Sequence, residues 1–140
     1  MSKQLGTPYK RGKSDVIDNF APNGGTPVGE GLAVTKAADG TIKAQSAASD
    51  VVIGVSGVCE IKRQSVVRCG LETYVQLATG ATPADGKAVY VSGDKFTDAA
   101  KTGETNNIAV NAVFCTGKVT AKDSKGNEYD AAAIDFAGGL

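Results

Sequence analysis

The chain contains no histidine and no tryptophan, one methionine, and only four tyrosines and four phenylalanines. Without histidine it lacks the commonest general base and the commonest metal ligand together. Neither a Ser–His–Asp nor a Cys–His arrangement is possible. Apolar runs are short. Ala131 to Ile134 is typical, far below the roughly 20 residues that span a bilayer as a helix. The amino-terminal "MSKQLGTPYKRGK" has no apolar stretch and does not read as a secretory signal. Synthesis and function without export are therefore expected. No Asn-x-Ser/Thr acceptor occurs. Charge of either sign is not in excess, with 15 basic and 15 acidic residues. The balance gives no electrostatic reason to expect nucleic acid or a membrane surface as partner. Cysteine is present three times, an odd number that, with no signal peptide, speaks against a disulfide framework.

Recognisable chemistry is missing as well. Gly86-Lys87 and Gly117-Lys118 lack the preceding glycine and the following Ser or Thr of a phosphate loop. "GTPVGEG" sits in no strand–helix unit, so it is not a dinucleotide fingerprint, and "DSKGNEYD" lacks the acidic spacing of a calcium loop. Asp94 with Asp98, and Asp130 with Asp135, read as solvated turn charges rather than catalytic pairs. Cys59 and Cys69 without further ligands make a poor zinc site. No catalytic residue, cofactor or metal is expected. The trimeric dUTPase family is set aside, because its Gly-rich and Arg-Ser-Ser motifs are absent and only an echo of its Asp–Tyr motif remains.

What is abundant is glycine, 18 of 140 residues, and short alternating segments between glycine turns. From Val51 to Leu77 the odd positions run Val, Ile, Val, Gly, Cys, Ile, then Val, Cys, Leu, Thr, Val, Leu. The even positions include Glu60, Lys62, Gln64, Arg68, Glu72 and Gln76. Period two marks strands with one buried face. Direct pairing of Val51–Ile61 with Val67–Leu77 then calls for an odd loop around Arg63–Ser65. That register sets Cys59 opposite Cys69, both packing as small hydrophobes. Asp39-Gly40 punctuates a hairpin, since glycine takes positive φ cheaply. Pro83–Gly86 turns before a strand at Ala88–Val91, and Ser92–Asp94 turns before Phe96. Ile108 to Cys115 is apolar on both parities and reads as a central strand covered on both faces. In "YDAAAIDFAGGL" the alternation Ala132, Ile134, Phe136 favours a closing strand over a short helix.

Short strands at regular spacing give an all-β fold, a single-domain β-barrel or jelly-roll-like sandwich over residues 26–140. Residues 1–25 differ, with a basic head, apolar Val16, Ile17 and Phe20, and the breakers "APNGG". They are expected to form an extended amino-terminal arm that contacts a partner through Tyr9, Lys10, Arg11, Val16, Ile17 and Phe20. Four cations with only Tyr9 among them are a thin footprint for nucleic acid. On this expectation, removal of residues 1–20 leaves the β body folded and weakens partner binding.

The run "PVGEGLAVTKAADGTIKAQSAASDVVIGVSGV", a Glu-bearing polar strand, and then "PADGKAVYVSGDKFTDAA" resembles the capsid cement, or head decoration, proteins of tailed bacteriophages. The resemblance covers Pro27 to the carboxyl end. It rests on the "IGVSG" strand and on a hairpin of Gly86, Val89-Tyr90-Val91, a turn, and Phe96-Thr97. The basic segment from Lys3 to Lys13 has no counterpart there. The resemblance implies a non-enzymatic protein on the outside of a phage head. Such a protein bridges major capsid protein subunits and stabilises the shell against internal DNA pressure. It also implies a homo-oligomer, for which a dimer is favoured over a trimer because two-fold assemblies are commonest. The competing expectation is a fibre- or adhesin-like β domain binding carbohydrate. The absence of tryptophan counts against it, since sugar faces stack on exposed aromatic rings.

Overall fold

A computed structural model describes residues 3–10, 16–46, 51–98 and 107–136. The chain is all-β. Its strands, in order, are β1 (Lys3–Gln4), β2 (Pro8–Lys10), β3 (Val16–Phe20), β4 (Ala33–Lys36), β5 (Ile42–Ala44) and β6 (Gly54–Glu60). There follow β7 (Arg63–Gln76), β8 (Ala88–Ser92), β9 (Lys95–Thr97), β10 (Asn107–Phe114), β11 (Val119–Lys122) and β12 (Glu128–Phe136). A 3-10 turn spans Asn23–Gly25.

The 14-residue β7 is the spine. Its first half lies between β3 and β6, and its second half between β2 and β12. From β12 the sheet continues through β10 and β8 to β9. Phe96 of β9 then bridges back to Leu77 just beyond β7, and Ala78 N–H donates to Phe96 C=O at 2.8 Å. The sheet thus comes round on itself about Val75, Leu77, Val89, Val91, Phe96, Phe114, Ile134 and Phe136. On the other side β6 pairs with β4, and β4 with β5. Pro22, after β3, bridges Ile42 of β5. This smaller curl encloses Val34, Ile42 and Val66, with Phe20, Val28 and Ile53 packed on them.

Burial on two faces explains the alternation and its exceptions. In β12, Ala132, Ile134 and Phe136 face the main core, while Ala131 and Ala133 face a second cluster with Leu5, Tyr74 and Ala121. The alanine run is therefore a strand, as expected, with small residues where another layer lies above. The hairpins at Asp39-Gly40 and Gly93 also form, with both glycines at positive φ (+83° and +65°). β10 is central in the sheet, but Val113 is 45% exposed, so it is not covered on both faces.

The β6–β7 hairpin departs from the odd loop. Glu60 pairs with Arg63, which leaves a two-residue loop, Ile61-Lys62. A bulge between Ser56 and Cys59 shifts the register by one residue. Gly57 sits at this bulge, where a Cβ would collide with the Ser65 hydroxyl. Strict period two fails there, and β7 buries even positions too, including Gln64 and Val66. Cys59 consequently stands opposite Gln64 and Cys69 opposite Val16 of β3. All three cysteines are free thiols.

Candidate partner surface

The amino-terminal segment lies on the body wherever it is described. β1 runs parallel to β11, and β2 and β3 pair with β7. Leu5 is fully buried; its own N–H donates to Lys122 C=O, and Gly6 N–H donates to Tyr74 C=O, each at 2.9 Å. Gly6 has φ +65° and a Cβ there would strike the Ser56 carbonyl, so only glycine allows this approach. The described parts of the segment expected as an arm thus include three strands paired to the body, each too short for its period to be read.

The six residues expected to meet a partner fall into different places. Tyr9 is 41% exposed yet well held. Its ring meets Tyr74 edge-on at 5.6 Å, its hydroxyl accepts from Gln4 N–H at 2.7 Å, and the Lys3 ammonium lies 4.4 Å above it. Lys10 enters β2 through its backbone, opposite Leu71. Arg11 lies outside the described residues. Phe20 turns inward onto the smaller core, with the Lys36 ammonium 5.3 Å from its ring. Val16 and Ile17 stand outward, 41% and 51% exposed. Neighbours in a strand normally face opposite sides, but a register shift between these two breaks the alternation. Beside them Arg68 pairs with Asp18 at 3.2 Å, a surface contact worth about 0–1 kcal/mol.

Beyond the Phe20 end of β3 projects the Ile61-Lys62 loop. Arg63 donates from its guanidinium to Asn19 C=O at 3.0 Å, which ties this hairpin to the edge strand. An open cleft of about 650 Å³ lies between them, lined by Asn19, Val58, Glu60, Ile61, Arg63 and Ser65. Ile61 is 96% exposed. Sequence reasoning placed it inward by parity. The available signal was "EIKR", a lone apolar residue among three charges between two strands, the composition of a hairpin tip.

The polar clusters hold turns. Asp98 is 7% exposed at its side chain and accepts from Thr82 N–H at 2.8 Å and from the Lys87 ammonium at 3.0 Å. Burial pushes its pKa up, but these bonds outweigh burial and bring it to about 2. Asp123 is treated likewise. Burial raises it, while Asn127, Lys125 and Tyr129 donate to it and lower it overall. Glu30 accepts from Gln4 Nε2 and Ser124 N–H, joining the amino-terminal segment to that turn. Asp135 accepts from Glu72 N–H at 2.7 Å, where β7 carries a positive φ of +48°. Asp130 instead approaches the Lys118 ammonium, at 4.0 Å, so it and Asp135 have separate partners. Among the described residues no three His, Cys, Asp or Glu side chains are grouped to hold a metal. The large apolar side chains exposed among the described residues are Tyr9, Val16, Ile17, Val51, Ile61, Val113 and Val119.

No protein-family model matches the chain, and no curated protein does. Among solved structures, the fold is similar to that of a chain in "The capsid of Myoviridae Phage XM1". The TM-score is 0.65 at 16% identity, over 97% of this chain and 91% of that one.

Proposed function

We propose that this protein is a structural, non-enzymatic component of a phage head, a cement protein bound to the outside of the shell. It bridges major capsid protein subunits and stiffens the shell against internal DNA pressure. The observation that carries the reading is the fold likeness, nearly end to end, to a chain from a phage capsid. The outward Val16, Ile17 and Ile61 support it, being apolar side chains held on a firm β scaffold. The partner surface is built around Val16 and Ile17, with Tyr9 and Lys10 of β2 at its border and Phe20 as its support, and Arg11 is kept as a contact residue on its sequence alone. The partner is the major capsid protein, with self-association as a dimer ahead of a trimer. No membrane, nucleic acid or cofactor takes part, and the protein is made in the host cytoplasm before joining the virion.

Such a role needs area and repetition rather than reactive groups. A contact of about 1,000 Å² is enough for a specific interface. An oligomer touching several identical subunits turns modest contacts into avidity. The test is co-sedimentation of the purified protein with heads stripped of their external proteins. Saturation at a fixed ratio to the major capsid protein, with raised thermal resistance of the shell, is the expected result. Absence of binding by folded protein would end the proposal.

A further inference from the structure

The Ile61-Lys62 loop is built against its own conformational preference. A two-residue hairpin loop of the type I′ kind has positive φ at both residues, which is why Asn-Gly is favoured there. Here Ile61 has φ +47° and Lys62 φ +64°. A β-branched side chain in that region is a genuine outlier, because its Cβ crowds the backbone. Residues held in such conformations cluster at functional sites. The strained side chain is also 96% exposed, so burial within this chain does not account for it. The bulge between Ser56 and Cys59 lies just below and redirects the tip. Arg63 braces it against Asn19. Lys62 makes no ion pair among the described residues, and the tip Glu60–Arg63 carries two cations to one anion on a chain whose charges balance overall.

We infer that Ile61 is an anchor that seats in an apolar pocket of a shell subunit, with Lys62 meeting carboxylates at the rim of that pocket. The inference rests on the shell-binding reading and names the side chain through which it acts. The two-residue loop presents the isoleucine already ordered, so little freedom is lost when it docks. Burying an isoleucine is worth about ten- to a hundredfold in affinity.

The informative substitution is Ile61→Asn. Asparagine suits a positive φ and removes the apolar anchor, so stability and binding are driven in opposite directions. The measurements are thermal melting of the free protein and the midpoint of its saturation binding to stripped heads. The expected result is a melting temperature at or above that of the wild type, with binding about tenfold to a hundredfold weaker. Lys62→Glu is expected to weaken binding more at low salt than at high salt, and equal binding at both would overturn the acidic rim. If Ile61→Asn binds like the wild type, the anchor is overturned while the shell-binding reading stands. A variant that binds weakly and melts lower would assign Ile61 to the fold and overturn the anchor as well. Failure of the wild type itself to bind removes both.

Discussion

Leu5→Ala tests whether the amino-terminal segment belongs to the body. Leu5 is fully buried in a cluster with Tyr74, Ala121, Ala131 and Ala133. The alanines have no further side chain to move into a vacated space, and their strands are fixed by the sheet. Collapse around the truncated residue is therefore limited. Leucine-to-alanine changes in such sites cost about 2–5 kcal/mol, increasing with the cavity left behind. The expected loss here is about 3–4 kcal/mol. Urea unfolding followed by tyrosine emission gives the value, and an unchanged m would show that the native ensemble stays compact. A free arm would place Leu5 in water and make the change nearly silent. A loss below about 1 kcal/mol would therefore refute the packing described here. The same reasoning changes what a truncation can report. Removing residues 1–20 takes away three strands and Leu5, so loss of folding is expected rather than an intact body with weaker binding.

Three further outcomes follow from particular contacts. Asp98→Asn removes a carboxylate that Thr82 and Lys87 share, and at neutral pH it is expected to cost on the order of 1–2 kcal/mol. Because the folded pKa is about 2 against an ordinary 3.8, that stability is full above about pH 4 and fades as pH falls toward 2. Chemical denaturation curves of wild type and variant should converge over that range, and a gap that persists at low pH would contradict the assignment. Gln64 is fully buried, donates to Val28 C=O at 2.6 Å and Gly57 C=O at 2.9 Å, and accepts from Val28 N–H at 2.9 Å. Gln64→Leu strands these groups and is expected to lose about 2–4 kcal/mol in urea unfolding, whereas a neutral change would mean the bonds add nothing. The double change Val16→Ser, Ile17→Ser touches exposed side chains only. Melting should move little while binding to stripped heads weakens, and unchanged binding would remove β3 from the partner surface.

Much of the fold was legible because turn chemistry is local. Asp39-Gly40 and Ser92-Gly93-Asp94 announce hairpins through residues that accept unusual φ, and both hairpins form. The closing strand was legible in the spacing of Ala132, Ile134 and Phe136, whose side chains reach the main core. The β6–β7 register was not, because one bulged residue inverts parity and its mark in "GVCEIKRQ" is a single glycine, Gly57, which an alternating reading passes over. With it went the juxtaposition of Cys59 and Cys69. The amino-terminal strands were hidden by length. Two to five residues carry no readable period, and the one fully buried aliphatic residue among 3–10, Leu5, sits in polar surroundings. The exposed pair Val16 and Ile17 was found for its hydrophobicity in a polar segment. Ile61 was missed because an apolar residue in an alternating run reads as core until the loop length is known.

A density map of the head measures the protein's place on it directly. Electron cryo-microscopy of stripped heads, with and without added protein, should yield a difference density outside the shell between neighbouring subunits. The β body described here should fit it, with the Ile61 tip pointing toward the shell. Difference density on the inner surface, or none despite a folded protein in excess, would contradict the account.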